Sequence, residues 1–416
     1  MSRLLQTALL SAALLACDRE AAAPKAAPPP SAKMPESAAP AQSAASAAPA
    51  SADAPDASTK HAPKQLSQAP LQKRGCTKLD DVTLPVTAYR LLIPTQDSAL
   101  QALVLRDDQI TLEWWSGELG GPAVLRASHK LTARVTKLSL LRRAAASYTV
   151  AAVDEQGGLW GLHYSAGKWA DVKQLARGAD RRFAPALYED GAISLLAYTS
   201  SVDKAMHTFV VRSLAGQGVD VTPAGHGAAA PTFVSGVDQP VLVFVDAHEG
   251  ISPLLEVGFD ENLKPQPALV RTPISQPYAP PLLRAVAIDQ GEVEVAFTAV
   301  GKLAASAIGR VPLRRAASAV ALHPSRGYGE LDFDVALSGK AAIFALEVPV
   351  DEKPNAEHVL ELKWLDQSGD GATLELVRGA ALRPSIAATP LPGELLVAYV
   401  TGTTPHLTRL RCDSGG

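Results

Sequence analysis

Short apolar runs recur along the chain, and the segments around each run follow one another in the same order. A short segment containing Pro is followed by a turn, a continuous run of Val, Leu, Ile and Ala, a second turn and an alternating segment. Continuous runs are typical of strands covered on both faces, and alternation is typical of strands with one face in water. The prolines Pro185, Pro231, Pro280 and Pro384 lie 46, 49 and 104 positions apart, the last interval being about twice the period. The pattern predicts repeated β-units.

Three less regular copies, at residues 100–115, 148–164 and 331–365, bring the number of units to seven. Gly-containing turns such as Ser338-Gly339 separate the runs, as hairpins that need a positive φ require. Self-similar units of ~40 to 50 residues made of short strands are typical of a β-propeller, which these units resemble. The predicted fold class is therefore all-β, with a seven-bladed β-propeller preferred over tandem β-sandwiches.

The N-terminus has a single positive charge, Arg3, followed by an apolar run that ends in Leu14-Leu15-Ala16-Cys17. The run is too short to span a bilayer and fits a secretory signal. With Cys directly after Leu-Leu-Ala, the segment resembles a bacterial lipoprotein signal. The resemblance implies a signal peptide at 1–16 and a diacylglycerol on the Cys17 thiol, and two or three acyl chains anchor a protein stably. An ordinary cleaved signal with an incidental Cys17 is the alternative.

The composition changes abruptly after Cys17. Residues 18–75 contain 19 Ala, 10 Pro and 7 Ser among 58 residues, with no Phe, Trp or Tyr. Such a segment buries too little apolar surface to offset an ordering cost of about 1–2 kcal/mol per residue. We therefore predict that residues 17–75 are a lipidated, disordered tether and that residues 76–416 are the propeller domain. A Pro/Ala-rich recognition tail is the alternative role for this segment.

Asp18 follows the lipidated cysteine, which in the enteric lipoproteins that this chain resembles implies retention at the inner membrane. Other Gram-negative lineages do not all follow that rule. The expected location is the cell envelope of a Gram-negative-type bacterium, with a lipid anchor in the inner or outer membrane. The domain would face the periplasm or be exposed at the surface.

Charge narrows the choice of partners. Residues 1–75 carry eight basic and five acidic side chains, so the net charge of −3 for the whole chain leaves −6 on residues 76–416. Nucleic acids and anionic lipids select concentrated positive surfaces. We therefore expect no nucleic acid among the partners. The expected protein is a monomer that contacts the membrane through its lipid anchor and binds an envelope protein partner.

The two remaining cysteines flank the repeats, with Cys76 before the first unit and Cys412 in the last predicted strand. Closure of a propeller brings distant chain ends together, so we predict a Cys76–Cys412 disulfide. The last unit lacks a fourth strand, and residues 78–87 could supply it. Two free or intermolecular thiols are the alternative.

Motifs for catalysis or metal binding are scarce, because the chain has no G-x-S-x-G elbow, H-E-x-x-H helix, P-loop or C-x-x-C pair. Asp366, Ser368 and Asp370 precede Gly371 in the manner of a calcium loop, but Val377 takes the place of its bidentate glutamate. These residues are weak metal candidates, and a plain hairpin loop is the preferred interpretation. A solvated turn likewise explains a second group of possible ligands, Asp246, His248 and Glu249.

An enzyme is a weaker hypothesis. The chain resembles sialidases and glycosidases in architecture alone, since their S-x-D-x-G-x-x-W turn is absent and residues 154–160 match only Gly157 and Trp160. Asp80 and Asp81 are adjacent, so along a strand they would point to opposite faces instead of flanking a bond. No catalytic residue and no cofactor is assigned.

The sequence thus predicts an exported propeller that acts as a binding or protein-interaction scaffold. A glycosidase-like hydrolase or a small-ligand sensor is the alternative. Charged residues lining the axial channel would favour that alternative, whereas a smooth channel with an apolar rim would favour the scaffold.

Overall fold

A computed structural model defines the architecture of the chain. The structure describes residues 76–94, 99–144, 146–190, 193–246, 251–275, 281–289, 292–300, 306–315, 317, 319–327, 331–339, 341–351, 353, 356–366 and 369–412. The regular structure of these residues is β-strand, and no helix among them is long and apolar enough to cross a membrane. The predicted all-β class is confirmed.

The strands form groups of four, which we label A to G in chain order, and within a group each strand pairs antiparallel with the next. Group A contains β2 (Ala88–Leu92), β3 (Ala99–Arg106), β4 (Thr111–Glu118) and β5 (Val124–Lys130). Group B contains β6 (Val135–Ala144), β7 (Ser147–Asp154), β8 (Gly158–Ser165) and β9 (Lys168–Arg177). Group C contains β10 (Ala186–Asp190), β11 (Ile193–Val202), β12 (Ala205–Arg212) and β13 (Ala215–Asp220).

Groups D and E join into one eight-stranded sheet, because their first strands pair in parallel at Val234 and Ala285. Group D contains β14 (Ala229–Ser235), β15 (Val241–Val245), β16 (Ile251–Gly258) and β17 (Leu269–Ser275). Group E contains β18 (Leu283–Asp289), β19 (Glu292–Val300), β20 (Ser306–Pro312) and β21 (Val320–Gly327).

The last group combines the two ends of the described chain. Group F contains β22 (Asp332–Ser338), β23 (Ala341–Pro349), β24 (His358–Asp366) and β25 (Gly369–Gly379). Group G contains β26 (Ser385–Ala388), β27 (Glu394–Thr401), β28 (Thr404–Cys412) and β1 (Cys76–Thr83). The N-terminal strand therefore supplies the fourth strand of the last group, as predicted, although it begins two residues before the predicted segment and ends four residues before its end.

A disulfide joins the two ends of group G. Cys76 and Cys412 are direct register partners on β1 and β28, and their Cα atoms lie 4.0 Å apart. The predicted disulfide is confirmed. Both half-cystines are buried against the core that groups F and G share.

Apolar cores lie between successive groups. The second strand of each group is covered by neighbours on both faces, and β23 is buried from Ala342 to Pro349. The last group packs on the first through Leu91 of β2 and Leu396 and Val400 of β27, so the series of groups closes on itself.

Asp154 organises the turn between β7 and β8. Its carboxylate accepts hydrogen bonds from the backbone N–H groups of Gln156 (2.9 Å) and Gly158 (2.7 Å) and from Nε1 of Trp160 (2.7 Å). Gly157 has a φ of 78°, which an L side chain rarely adopts. This piece, the nearest in the sequence to a sialidase turn, is therefore a capped hairpin with a buried, fully bonded carboxylate.

Candidate functional site

The first strands of the groups surround a cavity of about 200 Å³. Its lining includes residues of β2, β6, β10, β14, β18, β22 and β26, so every group contributes to one wall. We call this cavity the channel. Its polar side chains include Arg90, Arg284 and Asp334, and its apolar ones include Leu140 and Leu187.

A second cavity of about 250 Å³ shares Arg90, Leu138 and Arg284 with the channel. Its lining comes from the starts of the first strands, the ends of the second strands and the connections nearby. In a meander these positions lie at the same end of the sheets, because alternate strands reverse direction. We call this cavity the channel mouth. Its cationic residues are Arg90, Lys137, Arg182, Arg284 and Arg383.

Two arginines of the mouth are held by aspartates on one strand. Arg90 donates to Asp332 over 2.7 Å, and Arg284 donates through Nε to Asp334 over 3.1 Å. Asp332 and Asp334 are two positions apart on β22, so both project to the face that lines the cavities, while Phe333 between them is buried. The two ion pairs therefore connect groups A, E and F at the wall.

Asp334 also bonds to group G. Its Oδ2 accepts hydrogen bonds from the hydroxyl of Ser385 (3.2 Å) and the backbone N–H of Ile386 (3.1 Å). The Ser385 hydroxyl in turn accepts a bond from the N–H of Ile93 in group A over 3.3 Å. A continuous chain of hydrogen bonds thus connects groups E, F, G and A.

Each carboxylate oxygen of both aspartates accepts at least one of these bonds. Oδ1 of Asp332 accepts from the N–H of Phe333 (2.9 Å) and Oδ2 from Arg90, while both oxygens of Asp334 are also engaged. A glycosidase needs one carboxyl group for proton transfer and another for attack or water activation. This pair is committed to holding arginines instead.

The Arg90 guanidinium remains charged in the wall. Burial lowers the pKa of Arg90, but the carboxylates of Asp332 and Asp334 outweigh that effect and raise the pKa above its ordinary value. The side chain is 20% exposed, and its charged guanidinium group belongs to the lining of both the channel and the channel mouth.

Glu347 fixes the backbone that carries Arg383. Its buried carboxylate accepts the N–H groups of Leu382 (2.9 Å) and Arg383 (2.7 Å) and lies 2.8 Å from Nδ1 of His358. Arg383 has a φ of 46°, a strained value that these bonds maintain. Its guanidinium lies 3.9 Å from the ring centroid of Tyr89 and donates to the carbonyl of Tyr89 over 2.8 Å.

The other residues singled out in the sequence do not form a site in the described part of the chain. Cys17, His248, Glu249 and Ser368 lie outside the described residues, and so do the side chains of Asp366 and Asp370. Asp246 bonds to Nδ1 of His226 (2.7 Å) and the N–H of Gly227 (3.0 Å), a structural role. No group of three or more potential metal ligands occurs among the residues that the structure describes.

The adjacent aspartates of β1 also have structural partners. Asp80 pairs with Arg409 over 2.8 Å, and Asp81 pairs with Lys78 and accepts a bond from Thr408. They stabilise the pairing of β1 with β28.

Sequence reasoning missed the cations of the mouth. Each one lies in a different repeat, within four residues of the start of a first strand. This recurrence near the first strand was the available signal. An arginine precedes the marker proline in two repeats, three residues earlier in Arg182-Phe183-Ala184-Pro185 and directly in Arg383-Pro384.

The sequence matches no known protein family and no curated protein. Solved structures with a similar fold include BBS1N in complex with ARL6DN, with a TM-score of 0.51, 12% identity and coverage of 82% of this chain and 97% of that chain. The Aleuria aurantia lectin, a six-bladed β-propeller, has a TM-score of 0.43, 10% identity and coverage of 71% and 96%. NanB sialidase from Streptococcus pneumoniae has a TM-score of 0.42, 7% identity and coverage of 76% and 83%. At these identities the likeness concerns the fold alone, and the chain is an all-β protein with propeller-like structural neighbours.

Proposed function

We propose that this protein is a membrane-anchored, exported seven-bladed β-propeller that binds a ligand at its channel mouth. The observation that carries the proposal is the convergence of five cationic side chains, from five different strand groups or their leading connections, on one cavity. Convergent polar groups around a concave site are typical of ligand binding. Asp332 and Asp334 hold arginines of the mouth, and this arrangement favours a binding protein over a glycosidase.

Seven blades are supported by the grouping of the strands. Groups A to G each contain four strands, and separate buried clusters pack between consecutive groups, including G against A. In this interpretation the parallel pairing of Val234 with Ala285 is a contact between two neighbouring innermost strands at the channel wall, not a merging of two blades.

The membrane anchor is proposed from the sequence. Cys17 receives the lipid, residues 18–75 act as a tether, and residues 76–416 carry the ring. Labelling cells with an acyl-chain precursor and fractionating the envelope tests this part. The wild-type protein is expected in the membrane fraction with label, and Cys17→Ser is expected in the soluble fraction without it. Label on Cys17→Ser, or soluble wild-type protein, would contradict the anchor.

Photo-crosslinking in intact cells tests the binding function. Arg181 is exposed and directly precedes Arg182 of the mouth, whereas Lys173 is an exposed residue of the outer strand β9. A photoreactive residue at position 181 is expected to give a ligand or protein adduct, identified by mass, and the same residue at position 173 is not. The absence of any adduct at position 181 would contradict a binding function at the mouth.

An envelope protein partner is the second candidate, and exposed aliphatic residues favour it. Val219, Leu269, Val270 and Val320 are each at least 46% exposed and lie on the outermost strands of the consecutive groups C, D and E. Neighbouring exposed apolar side chains are typical of protein contacts. A photoreactive residue at position 219 is the matching test, and a protein adduct there would support this contact.

A further inference from the structure

We propose that the ligand of the channel mouth is a small organic dianion, with two carboxylate or phosphoryl groups separated by a short apolar body. This inference rests on the proposed binding function and specifies its ligand class. The argument uses the balance of charge in the mouth, the way its arginines are held and the character of the wall below them.

The lining of the mouth has an excess of positive charge. The described residues that line it include five cationic side chains and two carboxylates, Asp332 and Glu347. Two further aspartates hold cations of the mouth, since Asp334 pairs with Arg284 and Asp180 pairs with Arg182. Five cationic side chains thus face four carboxylates. Glu347 is buried and its oxygens are occupied by two backbone N–H groups and His358. The surrounding sequence, residues 76–416, has a net charge of −6. A positive concavity in a negative protein focuses anions toward itself.

The arginines are positioned before any ligand arrives. A guanidinium has five N–H donors, and Asp332 takes one donor of Arg90 while Asp334 and the carbonyl of Leu283 each take one of Arg284. The carboxylates therefore fix the planes of both guanidinium groups without using all of their donors. Carboxylates and phosphates are bound most strongly by such forked donors.

Arg383 adds a second type of constraint. Its side chain lies over the face of Tyr89, and its backbone is held by Glu347, so its position on the rim is set from two directions. Lys137 lines the same mouth from group B, and Arg182 from the connection before group C. Cations on several sides of the cavity suit a ligand with two separated negative groups better than a single small ion.

The channel beneath the mouth favours a short apolar body. Leu138 and Leu282 line both cavities, and Leu140 and Val335 line the channel just below. No aromatic ring of the described lining lies open as a stacking platform for a sugar, since Tyr89 is covered by Arg383 and Phe233 is 7% exposed. The site therefore matches, in shape and polarity, a short aliphatic chain that carries two carboxylate or two phosphoryl groups.

Titration calorimetry on the full chain in detergent tests this proposal, with glutarate and propane-1,3-diphosphonate as separate probes and uncharged glutaramide as the matched control. We expect glutarate, propane-1,3-diphosphonate or both to bind and glutaramide not to bind. Arg383→Gln and Lys137→Gln are each expected to weaken binding by about tenfold, since a charged hydrogen bond contributes at least that much. Arg177→Gln, on the exposed outer strand β9, is expected to leave binding unchanged.

The double variant Arg284→Gln, Asp334→Asn controls for misfolding. It removes both charges of the ion pair together, so neither residue is left as an unpaired ion. It is expected to lose binding while the far-ultraviolet circular dichroism spectrum is retained. Preference for one probe identifies carboxylate or phosphoryl as the recognised group. The proposal is overturned if neither anion binds, if glutaramide binds equally, or if the mouth variants bind like wild type. Adducts at position 181 without binding of either anion would reject the ligand class and leave the binding function standing.

Discussion

Arg90 on β2 and Asp332 on β22 form an ion pair of 2.7 Å although 242 positions separate them in the chain. Group G comes between group F and group A in the series, and the pair joins group A to group F directly at the channel wall. Both side chains are mostly buried, at 20% and 17% exposure. Breaking such a pair from one side leaves the other charge in a poorly hydrated place.

A double-mutant cycle on this pair tests its coupling. Arg90→Gln and Asp332→Asn are each expected to lower the free energy of unfolding by about 2–3 kcal/mol, because each strands one charge. The double variant is expected to cost less than the sum by about 1–2 kcal/mol, as contacting residues couple. Urea titrations of the four proteins provide the measurement. Strict additivity would contradict the pairing.

The disulfide predicts a large effect of reduction on stability. Cross-linking residues 336 positions apart restricts the unfolded chain, so its removal is expected to lower the free energy of unfolding by up to about 6 kcal/mol. Denaturant unfolding with and without a reductant measures the change. A Cys76→Ser, Cys412→Ser double variant should match the reduced wild type and be insensitive to the reductant. Equal stability of the oxidised and reduced wild type would contradict this prediction.

Glu347→Gln tests the support of the Arg383 backbone. A glutamine cannot accept as strongly from two N–H groups and His358, so unfolding is expected to become easier by about 2–4 kcal/mol. Thermal and urea unfolding supply the readout. Glu375→Gln is the matched control, because its carboxylate is a third exposed and pairs with Arg378 on the outer strand β25, where a change below about 1 kcal/mol is expected. Equal losses in the two variants would show that Glu347 has no special role.

Glu189 predicts a pH dependence of stability. Burial raises the pKa of Glu189 to about 7, although Arg143 and Thr149 partly oppose the shift. The folded protein therefore holds a proton that the unfolded chain releases near pH 4.5, the ordinary value. The stability that this proton contributes is complete below pH 4.5 and is lost as the pH rises to about 7.

Glu189→Gln is expected to flatten that part of the stability curve and to be more stable than wild type at pH 8. Urea unfolding at intervals from pH 4 to pH 8 measures it, the range being set by the cited pKa of about 7. Glu155→Gln, at an exposed turn, should retain the wild-type slope. A slope for Glu189→Gln identical to that of wild type would contradict the shifted pKa.

The repeat pattern predicted more of the fold than of the site. Periodicity is a local property, so the apolar runs and marker prolines revealed the strands, and Cys76 and Cys412 flanking the repeats predicted the closure. Register across the chain is not local. Arg90 and Asp332 meet because the first and last groups pack together, and nothing in the sequence around either residue shows that the other is its partner.

The candidate site could be predicted only by comparing the repeats with one another. Within a single repeat Lys137 and Arg383 look like ordinary surface charges, and only the alignment of the repeats places both at the channel mouth. The acidic and histidine clusters at 246–249 and 366–370 attracted attention because their members are adjacent in sequence. Proximity in sequence is a poor guide in a fold whose channel is assembled from separate groups.

The most direct test is a crystal structure of the protein grown with the probe that binds more tightly, glutarate or propane-1,3-diphosphonate. The account predicts density for one anion in the channel mouth, within hydrogen-bonding distance of Arg90 or Arg284 and of Arg383. Density confined to the outer strands, or an empty mouth at a saturating concentration of the probe, would contradict it.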